Sequence, residues 1–265
     1  MAKTHLHVAA LALVVLAQGC GKESRDGGTR SDDVRHPQAE AVRSPVEGRN
    51  WISPATGMEF VWIPQMKMWV GKYEVTNAEY RKKAPRHSSP NFEGHSLNGD
   101  RQPVVYVSFD DAKAYAEWMT QRDRAVLGDA RYRLPSNDEW TTFAQCGDGR
   151  EYPWGNEWPP PSGRAGNYSG QESAWGDKIP GYNDGFPVTA PVDKLWANPW
   201  GLHGVGGNVW EACACDSDGR SFGAWRGASW ISYFCRSTLR VSYRLGGVAS
   251  YRDNHLGFRL ALATP

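Results

Sequence analysis

Cysteine is the residue type in this 265-residue chain best equipped for chemistry, and there are five: Cys20, Cys146, Cys213, Cys215 and Cys235. A thiolate is both a nucleophile and a soft metal ligand. Cys213 and Cys215 stand two apart, so a bond between them would be strained. In an oxidising compartment Cys146, Cys213, Cys215 and Cys235 could form disulfides, and spacing alone leaves their connectivity open. Histidine offers less. Of seven, two lie among the first seven residues, His203 and His255 stand alone, and no His-x-x-x-His pair occurs. No Ser/His/Asp arrangement stands out. Recognition chemistry is better represented. The stretch Ile231–Pro265 contains no Trp, Gln, Lys, Glu or Met and is rich in Ser, Tyr, Arg, Gly and Asn. Rigid aromatic anchors among adaptable polar neighbours are the makings of a binding surface.

These residues need elements to position them. Three helix starts are legible at Thr76–Glu79, Ser108–Asp111 and Ser136–Glu139. Each places a hydroxyl three residues before a carboxylate, the capping box or its Asp variant. The second helix carries Ala112, Tyr115, Ala116 and Met119 on one face, an amphipathic stripe. The third stops near Gly147. Phe60–Ile63, Val104–Val107 and Phe258–Ala261 read as strands or buried extended segments. From Tyr152 to Asn208 the chain is Gly, Pro, Asn and Trp with turn chemistry. A loop region that long in a compact domain is functional or pinned by a metal or disulfide. Asn183-Asp184-Gly185 taken alone is a turn.

The N-terminus is of another kind. Lys3, His5 and His7 precede a short apolar run, Val8–Ala17. That run falls short of the roughly 20 residues that span a bilayer and reads as a signal peptide. It ends Leu16-Ala17-Gln18-Gly19-Cys20, which resembles the lipobox of bacterial lipoproteins. The resemblance implies cleavage before Cys20 and acylation of that residue. Gly21–Asn50 mixes charges with Gly and Ser, has almost no large apolar side chains, and reads as a flexible tether. The organisation expected is a signal peptide over 1–19, an acylated Cys and tether over 20–50, and one domain over 51–265. Export with lipid anchoring, at the outer membrane or cell surface, follows as an expectation. A formal net charge of +1 gives no electrostatic case for nucleic acid as a partner.

Eight motifs then occur in order. They are Gly57-Met58-Glu59-Phe60-Val61-Trp62-Ile63-Pro64, Lys72-Tyr73-Glu74-Val75-Thr76-Asn77, Pro103-Val104 with Val107-Ser108-Phe109-Asp110-Asp111-Ala112, and Tyr132-Arg133-Leu134-Pro135-Ser136 through Trp140. Tyr152-Pro153-Trp154-Gly155, Gly207-Asn208-Val209-Trp210-Glu211, Arg226-Gly227-Ala228-Ser229-Trp230 and Leu256-Gly257-Phe258-Arg259-Leu260 follow. In this order they resemble the sulfatase-modifying-factor family, named after the formylglycine-generating enzyme, over about Gly57 to Ala263. The resemblance implies an α+β fold, an elaborated C-type-lectin-like domain with little regular secondary structure.

It also implies where chemistry would sit. The family's oxidase binds copper through two cysteines five residues apart, which suits a Cu(I) ion. The matching positions are Ser232 and Ser237, with Cys235 between them and out of register. Hydroxyls do not replace thiolates there, so no copper and no such oxidase activity is expected. Relatives that are iron enzymes carry a further helical domain with clustered His, which has no counterpart here.

The family's structural calcium would fall to Asn167, Tyr168, Asp184 and Phe186, oxygen donors of the kind Ca²⁺ takes. A weaker second calcium would use Gly207, Val209 and Glu211, with Gly204 where a side-chain ligand belongs. Arg226, Arg240 and Arg259 read as buried structural arginines. The resemblance extends to variable proteins of diversity-generating retroelements, whose last stretch is diversified at adenines and lacks the five residue types absent from Ile231–Pro265. The function expected is a surface-anchored, non-catalytic ligand-binding lipoprotein, acting as a monomer on a protein or glycan. Its face would comprise Trp230, Ser232, Tyr233, Phe234, Tyr243, Arg244, Tyr251 and Arg252. The alternative is a formylglycine-generating-type oxidase or an accessory factor of an exported enzyme.

Overall fold

The computed structural model describes residues 44–174, 176–214, 222–232 and 235–264. Cys20, the lipobox, Cys215, Tyr233 and Phe234 lie outside them. The elements in chain order are β1 (Trp51–Ile52), β2 (Glu59–Ile63), β3 (Met68–Gly71), α1 (Asn77–Arg81), β4 (Asn91–Phe92), β5 (His95–Ser96), α2 (Phe109–Arg122), α3 (Arg124–Leu127) and β6 (Arg131–Arg133). Then come α4 (Asn137–Gln145), β7 (Trp210–Cys213), β8 (Phe222–Arg226), β9 (Leu245–Val248), β10 (Leu256–Gly257) and β11 (Ala261–Ala263). A five-stranded antiparallel sheet runs β1-β2-β3-β11-β6, and a four-stranded sheet runs β10-β7-β8-β9, with β10 parallel to β7. This is the α+β architecture expected.

The three capping boxes are present. Thr76, Ser108 and Ser136 each accept from the backbone N–H three residues on, and Glu79, Asp111 and Glu139 reach back to the cap. In α2 the stripe Ala112, Tyr115, Ala116 and Met119 is buried. Trp62 and Trp69 face each other across β2 and β3, with ring centroids 4.5 Å apart, the cross-strand pairing that sets register. Of the expected extended segments, Glu59–Ile63 is a strand, whereas Val104–Val107 lies outside the sheets, with Val104, Val105 and Val107 buried and Tyr106 exposed. Among the described residues, the long loop stretch from Tyr152 to Asn208 carries a single 3-10 turn, Val192–Lys194. It is tied down by the Asn167–Gly207 bridge and by the Ser169 N–H donating to Ser232 O at 2.9 Å.

Candidate functional site

Glu211 in β7 and Arg259 after β10 meet in the core, both essentially unexposed. Arg259 Nε donates to both Glu211 oxygens at 2.8 Å and Nη2 to Oε1 at 2.6 Å. Its remaining donors reach Gly71 O at 3.1 Å and His203 O at 2.8 Å. Trp140 Nε1 donates to Glu211 Oε2 at 2.8 Å. Both carboxylate oxygens are thus committed to cationic or N–H donors. The Gly207, Val209 and Glu211 set would thus offer a second calcium ion a carboxylate already neutralised by a guanidinium, and Gly204 adds no side-chain ligand. Glu211 is the buried ion-pair partner of Arg259.

Glu74, a residue the sequence reading passed over, sits beside this pair. It accepts from Asn208 Nδ2 at 2.7 Å and from the Val209 N–H at 3.3 Å. Burial, and next the Glu211 charge, push it up to about 8 from an ordinary 4.5. The folded protein therefore keeps a proton that the unfolded chain releases. Stability from this source is full below about pH 4.5 and is lost as pH rises through about 8. Glu74→Gln should gain on the wild type steadily as pH climbs across that window, measured by urea unfolding. Parallel pH profiles for the two proteins would refute it.

The loop residues come next. Asn167 is fully buried, and its Nδ2 donates to Val188 O at 2.7 Å and Asn208 Oδ1 at 3.2 Å. Both are acceptors, so the other amide atom is the oxygen, and it is buried without a partner. Asp184 accepts from the Tyr168 and Phe186 N–H groups, each at 2.9 Å. Burial, despite those two bonds, lifts Asp184 to about 7, with the Glu172 charge adding to the rise. Glu172 Oε2 is also buried without a partner. Buried oxygens lacking partners call for an ion or water, and hard oxygen donors suit Ca²⁺. No three acidic, His or Cys side chains cluster as a metal centre among the described residues. Backbone carbonyls of Tyr168 and Phe186 would have to complete the set.

The expected ligand face is divided by the structure. Trp230 is 1% exposed and packs edge-on against Phe92 at 5.0 Å; it belongs to the core and not to a contact surface. Tyr243 is half-buried against Trp210, at 5.9 Å between centroids. Arg244 is exposed, Tyr251 is 53% exposed, and Arg252 pairs with Asp111 at 2.7 Å. Ser232 Oγ accepts from the Ser229 N–H at 3.0 Å. Ser237 Oγ lies 3.1 Å from Cys235 Sγ, and this contact chiefly holds the exposed Cys235 thiol below its usual value. Each of the two serines is thus engaged by its own neighbour. Cys146 and Cys235 are free thiols, the first half-buried and the second exposed. Cys213 is buried in β7 with Sγ directed at Glu211 O, 3.7 Å away.

Beside Ser237 lies an aromatic shelf that sequence reasoning missed. Reciprocal backbone bonds between Tyr152 and Gly155, at 2.9 and 3.0 Å, close a tight turn. They stack Tyr152 on Trp154 at 4.7 Å and 7°. Arg236, in the 3-10 turn Arg236–Leu239, lays its guanidinium over Tyr152 and Trp158 at 5.7 and 5.3 Å. Arg240 is exposed, not buried as expected, and pairs with Glu151 at 2.7 Å. Arg226 and Arg259 are buried as expected.

Comparison with known proteins agrees with this architecture. The family model described as "Sulfatase-modifying factor enzyme 1-like domain" matches residues 31–264. The formylglycine-generating enzyme of Thermomonospora curvata is 31% identical over 236 residues, covering 79% of this chain and 69% of that protein. The inactive C-alpha-formylglycine-generating enzyme 2 of Bos taurus is 37% identical over 169 residues, covering 60% of this chain. This chain spans about half of the bovine protein's length, 50%. Among solved structures, PvdO from Pseudomonas aeruginosa superposes with a TM-score of 0.60 at 21% identity, covering 83% of this chain and 99% of that one. Treponema denticola variable protein 1 gives 0.52 at 19% identity, covering 84% and 93%. At those identities the two structures establish the shared fold.

Proposed function

The chain belongs to the sulfatase-modifying factor enzyme 1-like family, and from that premise we propose that it is a lipid-anchored, non-catalytic ligand-binding member acting outside the cytoplasm. The observation that carries the reading is the chemistry at the two positions where the family's oxidase has thiols. Ser232 and Ser237 stand there, each hydrogen-bonded to an immediate neighbour. Between them, Cys235 has a hydroxyl for its partner. A single thiolate beside hydroxyls is a poor Cu(I) site, because soft ligands in pairs are what that ion selects. The exposed side chains of the C-terminal stretch, Arg236, Arg244, Tyr251 and Arg252, supply the aromatic and guanidinium character of binding surfaces. Cys20 would carry the lipid, and the partner would be a protein or glycan.

Calcium at the first set is part of this proposal. The Asn167 and Asp184 side chains with the carbonyls of Tyr168 and Phe186 would hold it. The ion supplies positive charge against Asp184 and ties the long loop to the core.

Titration of the purified protein with Cu(I) against a competing chelator tests the reading. No stoichiometric copper should be retained. Tight one-to-one binding that disappears in Cys235→Ser would overturn it.

A further inference from the structure

We infer that the Arg236 shelf is a subsite for a carboxylate on the ligand. This deepens the binding function proposed above and rests on it. The guanidinium is held in one plane. Its Nε donates to Tyr152 Oη at 2.5 Å, and its face lies over the Tyr152 and Trp158 rings. Tyr152 is in turn fixed by stacking on Trp154 and by donating its own hydroxyl proton to Glu151 Oε1 at 3.1 Å. The outer edge is open by comparison. The nearest charged partner of its Nη2 is Glu151 Oε2, 3.8 Å away, while Arg240 holds the other oxygen of Glu151 at 2.7 Å. Arg236 keeps 48% of its side chain exposed despite this fixation.

A half-exposed arginine ordinarily samples many rotamers. One immobilised on an aromatic shelf has already lost that freedom, so a ligand meets a preorganised fork. The planar guanidinium edge matches a planar carboxylate with two parallel N–H···O bonds. Charge points the same way. Among the groups just named, two guanidinium ions face one carboxylate, Glu151, leaving one positive charge that a single ligand carboxylate would balance. The Tyr152 and Trp158 rings beside it offer apolar surface for a flat or aromatic body attached to that carboxylate.

The test uses 4-fluorobenzoate as probe and 4-fluorobenzamide as its neutral isostere, with fluorine NMR line broadening on the full chain. The benzoate should broaden and the benzamide should not. Arg236→Gln should weaken benzoate binding at least tenfold. Glu151→Gln should strengthen it several-fold, because the competing carboxylate is gone, and this opposite sign separates recognition from damage to the fold. Equal broadening by the amide, an unchanged Arg236→Gln, or weaker binding in Glu151→Gln would each overturn the subsite. Copper capture would sink the non-oxidase reading and leave these spectra standing. Loss of the benzoate contrast would remove the subsite and leave the copper result untouched.

Discussion

Arg259→Leu should lower the midpoint of thermal unfolding by about 10 °C, the largest effect expected of any single substitution discussed for this protein. Breaking a buried ion pair by removing one partner costs about 3–5 kcal/mol, because the other charge is left uncompensated. In a domain of this size each kcal/mol moves the midpoint by roughly 2–4 °C. The local arrangement places this case at the severe end. Glu211 would keep only the Trp140 indole as a donor, with Glu74 already crowding it. Gly71 O and His203 O would lose their Arg259 donors too. The double variant Arg259→Leu/Glu211→Leu should recover a good part of the loss, since no lone charge then remains inside. Calorimetry on the single and double variants gives the coupling directly. A midpoint within a degree or two of wild type for Arg259→Leu would show that the pair contributes little.

Stripping calcium should produce the second large shift. An ion that binds only the folded state stabilises it by about 2.7 kcal/mol when present at 100 times its dissociation constant. EGTA should therefore lower the unfolding midpoint by several degrees, and added calcium should restore it. The effect should exceed that of a surface ion because the oxygens concerned are buried. Among the described residues Asn167 Oδ1 has no other partner, and Asp184, lifted to about 7, is only partly ionised near neutrality without a cation beside it. Asp184→Ala should be insensitive to EGTA and should melt near the calcium-free wild type. Identical melting curves with and without EGTA, at matched ionic strength, would remove calcium from the account. The consequence reaches beyond the loop, since Asn167 hydrogen-bonds Asn208, which hydrogen-bonds Glu74. Loosening the loop should therefore also raise hydrogen exchange at the Val209 amide.

Other features separate along the same physical line. The lipobox and the tether as far as residue 43 lie outside the described residues and rest on sequence, whereas the last tether residues are described and dock on the domain, Arg49 O accepting from Trp69 Nε1 at 2.7 Å and Asn50 Oδ1 from the Trp62 N–H at 3.1 Å. Ser232 and Ser237 could be placed opposite the family's thiols from motif register, and the structure added that each is satisfied by a neighbour within three residues. The face drawn from Ile231–Pro265 treated residue type as exposure. Composition cannot tell which way a side chain points when strands are two to five residues long, too short for a period to declare itself. Trp230, one residue before that stretch and outside every strand, reads as a contact residue by its type alone, whereas it is buried against Phe92.

By itself the sequence determined whatever is settled within a few residues. The three capping boxes are of this kind, each closed between a hydroxyl and a backbone N–H three positions on. So is the α2 stripe, and so is the family, because its motifs are short local strings in a set order. Only the tertiary structure decided the pairings that cross the chain: Arg259 with Glu211 over 48 residues, Arg236 with Tyr152 over 84, and Asn208 with Glu74 over 134. Such contacts depend on how loops route two distant segments into one buried volume. There a lone charge or amide must find a partner or be costly, and no local pattern in either segment carries the other's address.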